Sequence, residues 1–496
     1  HLRPHRRTKV NVTVYKIGDF YHHYTRDAEL VADDLRVGWT SNWRLKQQSM
    51  DSRFARTEQL DAIRGTLSVH QPRWLYAPDK VAEDFKGRNS KYGPNGQPWS
   101  FARSAPVYHS KAVCRQAQFL EQGGLLRGYN LHDLYFIGKK PLVGPQGELF
   151  HDRDTVRDIT VGNWQMRSVA REIVRPAEEL ADDFLHPSNV GWIKGRLINR
   201  PISRTNRRLH WGLVRNEPVA VLLLDFAKAF PSVALESLWL VLWAQGWPEE
   251  RITALTALHT DMTMATCIGR GRYRGPEKQD GLWTGSGAST LLLLCLFDVL
   301  ARNCYRHPAF ERDSPHASDL ESFADDYSVL LARLSHAGIF KRILFSFWSW
   351  SGVGPSFTKT VLVLPAAKMD TAPDWRELLW DSLVVRVEGA TLGVPVGEGV
   401  RPAAVFAKVT AAMQEEVDYW CQQPLSKADN VWVWNWFVLS KASCLAQFFS
   451  PSAGTLRVWR QLCRRCLHLG PGFPLETLFA VDALIGEGQA PYDPAL

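Results

Sequence analysis

Unbroken apolar runs alternate along this chain with stretches that carry an apolar residue at every third or fourth position. The first pattern predicts buried strands and the second amphipathic helices. "DAELVADDLRVGW" spaces Leu30, Val31, Leu35 and Val37 as one helical face, with its acids turned out. "IVRPAEELADDFLHP" does the same with Ile173, Val174, Ala177, Leu180, Ala181 and Phe184. Residues 219–224 form a short apolar run suited to a buried strand, and a helix-like "ALESLWLVLWAQG" follows Pro231. From Arg401 onward the pattern is helical in three successive stretches, "AAVFAKVTAAMQEEVDYWCQQ", "VWVWNWFVLSKASCLAQFFS" and "LRVWRQLCRRCLHLG". Trp432, Trp434 and Trp436 alternate in the second, as core packing or as a base-stacking surface; core is the favoured reading.

The tripeptide Ala-Asp-Asp occurs three times, at residues 32–34, 181–183 and 324–326. In the first two copies the acids are the solvated face of a helix. The third, "SFADDYSVLL", interrupts an otherwise apolar strand pattern, which reads as a hairpin with Asp325 and Asp326 at its tip. Core packing cannot explain carboxylates there; they need a cation or solvent. Asp225 ends the 219–224 run and offers a second acid in a matching setting, although a strand-end aspartate also commonly caps a turn. Acids so placed suit a site holding two Mg²⁺ ions about 3.5–4 Å apart, and oxygen donors are the ligands such hard cations take.

Composition narrows the classes. With 496 residues, 45% hydrophobic and 22% charged, the chain is long enough for several packed units. No apolar run reaches the roughly 18 residues that cross a bilayer, so no membrane partner is expected. The net charge of +8 and the opening "HLRPHRRTK" favour a polyanionic partner, nucleic acid first. The chain starts at His1 and not Met, so it is expected to be processed or a fragment. Its eight cysteines are dispersed, as expected of reduced thiols inside a cell. Cys463, Cys466 and His468 have metal-like spacing, but no second ligand pair follows; an amphipathic helix with two buried thiols accounts for them better.

With these residues in view, the chain resembles the reverse transcriptase of non-LTR (LINE-type) retrotransposons over roughly residues 131–470. "LLLDFAKAFPSV" is similar to that family's motif A, "GLWTGSGASTLLL" to motif B and "FADDYSVLL" to motif C. "SGVGPSFTKTVLV" is similar to motif D and "ATLGVPVG" to the primer-grip hairpin of motif E, with Leu392 and Gly393. Upstream, "VRDITVGNWQMRSVAREI" and "NVGWIKGRLI" resemble two segments that mark LINE-type and group II intron-type enzymes.

The resemblance implies an α+β right-hand polymerase: an N-terminal basic arm and extension (1–130), fingers (131–218), palm (219–400), helical thumb (401–470) and a tail (471–496). It implies that Asp225, Asp325 and Asp326 are catalytic metal ligands for two Mg²⁺, with Asp326 tuning charge or ligating through water. The backbone oxygen of Phe226 would complete one shell, Phe230 would exclude a ribose 2′-hydroxyl, and Lys359 would protonate pyrophosphate. Arg157 with Lys139 or Lys140 would neutralise the triphosphate, and Thr284 and Gly285 would lie against the nucleotide and the template–primer pair. In the last helix, Arg457, Arg460, Arg464 and Arg465 would track a phosphate backbone or form a solvated face.

The departures are as informative. Motif B has Trp283 and Thr284 for the family's Arg and Gln, and Gly287 and Thr290 for its two prolines; Asp158 replaces an upstream proline. No endonuclease or RNase H segment is recognisable. The chain is therefore expected to be a fragment of an element or a polymerase module that no longer moves itself. The expected function is RNA-directed DNA polymerisation, with an RNA template, a DNA or RNA primer and dNTPs as partners, in the nucleus or mitochondrion. The alternative is a domesticated, non-catalytic RNA-binding scaffold in a ribonucleoprotein such as a ribosome or splicing particle.

Overall fold

The computed structural model describes residues 15–16, 24–25 and 27–494, except 45, 47–48, 87–92, 126–129, 140, 144–148, 153–154, 216, 218, 313, 315, 471–472, 476–478 and 480–490. The basic arm, Lys140 and most of the 471–496 tail lie outside the described residues. The chain is a mixed α+β protein and gathers into two compact units. The first comprises His1–Pro201, Val221–Val361 and Thr371–Val384; the second comprises Ile202–Ala220, Leu362–Asp370 and Val385–Leu496.

In the first unit, one sheet is built on β1 (Leu131–Gly138) and β2 (Val156–Gly162), which pair antiparallel with His132 opposite Gly162. A second sheet is centred on β3 (Ala220–Leu224), whose five residues are all buried, as its unbroken apolar run requires. Strand β4 (Thr263–Ile268) joins β1 in parallel and β5 (Gly271–Arg274) closes that edge. Strands β6 (Asp319–Phe323) and β7 (Asp326–Leu331) form a hairpin, and β7 is the neighbour of β3.

The helix Ser289–Tyr305 supports this second sheet and is buried along nearly its whole length. Within it, Asp298 is an ionisable group removed from water, which is tolerated only when fully partnered. It accepts from His186 N (2.7 Å), Asn189 Nδ2 (3.1 Å) and Arg302 Nε (2.7 Å). Those bonds hold the segment 186–190 against β6, where Val190 N donates to Ser322 O and Ser322 N to Ser188 O.

The N-terminal helices belong to the same core. Gln59 accepts from Trp350 Nε1 at 3.0 Å and donates to Ile343 O at 3.3 Å, while Asn303 donates to Gln59 O. The helix Ala28–Asn42 forms where expected, but its buried face is Ala32, Leu35 and Trp39. Leu30 and Val37 are exposed, contrary to the expected stripe, because the large Trp39 ring sets which side faces inward. In the second Ala-Asp-Asp segment the helix breaks at Leu180; Asp182 and Asp183 face solvent, and Asp182 pairs with Arg196.

In the second unit, strands β8 (Glu388–Thr391) and β9 (Val394–Gly397) form a hairpin. The helices Pro402–Trp420 and Ala453–Cys466 pack around a middle helical stretch that runs Lys427–Val433, a π-helical Trp434–Leu439, and Ser440–Ala446. The core there holds Phe406, Met413, Trp434, Trp459, Cys463 and Cys466, so the two thiols are buried packing groups. Of the alternating tryptophans only Trp434 is core; Trp432 and Trp436 are exposed, since consecutive alternation cannot put all three on one side of a helix. Two of the expected phosphate-tracking arginines are engaged within the unit, Arg460 with Asp493 and Arg465 with Asp418. Among the described residues no helix is long and apolar enough to cross a membrane.

Candidate functional site

The β6–β7 hairpin pairs Phe323 with Asp326, which leaves Ala324 and Asp325 as its turn. Ala324 sits at φ +60°, a left-handed conformation that costs an L-residue with a Cβ roughly 1–2 kcal/mol. Such strain persists only where the surroundings impose it. Here Gly191 presses on the turn so closely that a Cβ at that position would stand 2.4 Å from Ala324 N. Trp192, also left-handed at φ +59°, lays its ring 6.2 Å from Phe323 and 6.3 Å from Phe230. The third Ala-Asp-Asp thus does differ from the other two: its acids stand at the end of a buried hairpin that the rest of the unit clamps.

Asp225 lies at the end of β3, one strand over. Its carbonyl accepts from Ser356 N at 2.7 Å, and Ala227 N donates to Gly354 O at 3.0 Å, so the chain beyond β3 pairs briefly with residues 354–356. That pairing carries Lys359 to the site, with Nζ 3.4 Å from Asp225 Oδ2. The ring of Phe226 is buried against Phe297 (4.8 Å) and Tyr327 (5.3 Å), tying Asp225 to β7.

The charges interact. Burial, then repulsion from Asp325 and Asp225, pushes Asp326 up to about 6. Asp325 is raised by burial and by Asp225, against the opposing pull of Arg157 and Lys359. Lys139 is lowered by burial and then by Lys359, Arg157 and Lys228. Three carboxylates and four cations therefore share one region. Lys228, three residues beyond Asp225, was not singled out by sequence reasoning. It stands at φ +48° with Nζ 4.9 Å from the centre of the Trp39 ring. Its unusual backbone has no signature in "DFAKAF", whereas Trp192 could have been suspected as a large ring in a Gly-flanked turn.

Thr284 and Gly285 face β2. The Thr284 hydroxyl accepts from Thr160 N at 3.0 Å and donates to Asp158 O at 3.3 Å. Gly285, at φ +93°, comes so close that a Cβ would meet Thr160 O at 2.4 Å. Asp158 is buried on the same strand, 5% exposed, and its Oδ2 has no hydrogen-bond partner. Burial pushes this carboxyl up to about 6, opposed by Lys228, Thr284 and Lys139.

Two further expected residues belong to the second unit. Leu392 and Gly393 form the β8–β9 turn in the second unit, both at positive φ (+52° and +79°). Among the described residues, no group of three or more His, Cys, Asp or Glu side chains is disposed to hold a metal ion as the side chains stand. One observation nevertheless suits a cation: Asp225 Oδ2 is buried and accepts no hydrogen bond. No protein-family model matches the chain, and no curated protein matches it in sequence.

Proposed function

We propose that this protein is an RNA-directed DNA polymerase that joins dNTPs to a primer 3′-hydroxyl on an RNA template, in a right-hand polymerase fold resembling LINE-type reverse transcriptases. The observation that carries the reading is the meeting of Asp225, at the end of β3, with Asp325 and Asp326, at the tip of the adjacent hairpin. Asp225, Asp325 and Asp326 would hold two Mg²⁺ ions. Bound there, the ions supply charge neutralisation at the reacting phosphate. The chain's own contribution is to place hard oxygen donors whose mutual repulsion a divalent cation relieves, and to surround them with Arg157, Lys139 and Lys359 for the triphosphate. Lys359 is 62% exposed in its side chain, free to move from Asp225 toward a leaving pyrophosphate as a proton donor. Phe230, with its ring near Trp192, would occupy the sugar side of the nucleotide.

A second reading rests on a different observation. The Thr284 hydroxyl is spent on the backbone of β2, which removes it from nucleotide selection and suits a non-catalytic RNA-binding scaffold in a ribonucleoprotein. Primer extension on RNA with Mg²⁺ and dNTPs separates the two. Extension by the natural chain and none by Asp325→Ala/Asp326→Ala supports the polymerase. RNA binding by both proteins with extension by neither would leave the scaffold.

A further inference from the structure

In the second unit, the part of the helix Asn199–Arg215 from Ile202 onward presents a surface that the acid cluster does not explain. The helix carries five arginines and no acidic residue. Its inner face is Ile202, Thr205 and Leu209. Its outer face, at helical spacing, is Arg207, His210, Trp211, Val214 and Arg215, all exposed. The Trp211 indole is 42% open to water, and it is organised: the Arg215 guanidinium lies 4.7 Å from the centre of its ring. Stacking of that kind preorders a planar, cationic platform.

We propose that Arg207, Trp211 and Arg215 form a docking surface for single-stranded nucleic acid, with a base stacked on the Trp211–Arg215 platform and phosphates drawn to the two guanidinium groups. A flat aromatic beside exposed guanidinium groups is how proteins hold single strands without reading their sequence. An anionic membrane is the other polyanion a basic helix can meet. A helix lying in a membrane turns its apolar stripe to the lipid, whereas here Ile202 and Leu209 are buried in the protein and only Trp211 and Val214 are open.

The test titrates a labelled single-stranded oligoribonucleotide into the full chain at several salt concentrations and follows fluorescence anisotropy. Trp211→Ala should weaken binding about tenfold, and Trp211→Phe should retain most of it. Arg207→Gln/Arg215→Gln should reduce the salt slope by about 1.4, the value for two lost phosphate contacts on a single strand. Trp243→Ala removes another exposed indole, 62% open and in the first unit, and should bind as the natural chain does. Unchanged affinity and slope in the Trp211 and arginine variants would overturn the proposal. So would equal losses from Trp243→Ala, or binding to phosphatidylserine vesicles that depends on Trp211 while RNA binding does not. The inference stands apart from the polymerase reading. Extension that persists with Trp211-independent RNA binding defeats this proposal alone, and Trp211-dependent binding without extension defeats only the polymerase.

Discussion

Asp158→Asn should make the protein more stable at neutral pH. The carboxyl is 5% exposed, its Oδ2 has no partner, and burial holds it at about 6 against an ordinary 3.8. That gap corresponds to about 3 kcal/mol, at roughly 1.4 kcal/mol per pH unit. The sign follows from proton linkage: between 3.8 and about 6 the folded state binds more protons than the unfolded one, so stability falls as pH rises through this window. Above it the full penalty of burying the ionised group is present. Asparagine keeps the shape and removes the charge, but its amide must also find a partner, which returns about 1 kcal/mol. A net gain of about 1–2 kcal/mol remains, or a rise of about 2–6 °C in melting temperature. Thermal melts of both proteins at neutral pH and near pH 4 test this. The variant should melt higher at neutral pH, and the advantage should vanish in acid, where Asp158 is already protonated. A variant that melts lower at neutral pH, or with the same offset at both, would show that the charged groups and hydrogen bonds around the carboxylate outweigh its burial and refute the reasoning.

Phe230→Ala should let ribonucleotides compete with deoxynucleotides in primer extension, because the ring flanks the sugar side of the proposed nucleotide site; unchanged sugar selectivity would remove that role. Leu392→Asn should raise the melting temperature modestly, since the turn holds residue 392 at φ +52° and asparagine tolerates that conformation about 0.5–1 kcal/mol better than a branched apolar side chain. A lower melting point would mean that the leucine side chain contributes packing worth more than the relief of strain.

Elements were legible where one residue's neighbours decide its state. The uniformly apolar 219–224 run becomes β3 and the acids at 325–326 fall at a hairpin tip, because strand burial and turn chemistry are local. The helix Ala28–Asn42 was also legible, but its inward side was not. Leu30 and Val37 satisfy the same spacing as Leu35, and only the partner surface selects Trp39 instead.

By itself the sequence marked candidates for chemistry: one acid after a buried strand, two at a hairpin tip, a lysine at 359 by resemblance, and an excess of positive charge. Tertiary structure alone decided which of them stand together. The contact of β3 with β7 joins acids about a hundred residues apart in the chain, and the pairing of residues 225–227 with 354–356 brings Lys359 within 3.4 Å of Asp225. It also decided that the Thr284 hydroxyl closes on β2, that Asp158 Oδ2 is buried without a hydrogen bond, and that Trp211 stays in water under Arg215. Propensity and period act over a few residues. Electrostatic coupling and exposure are set by whatever folds back from the rest of the chain, and no local pattern carries that information.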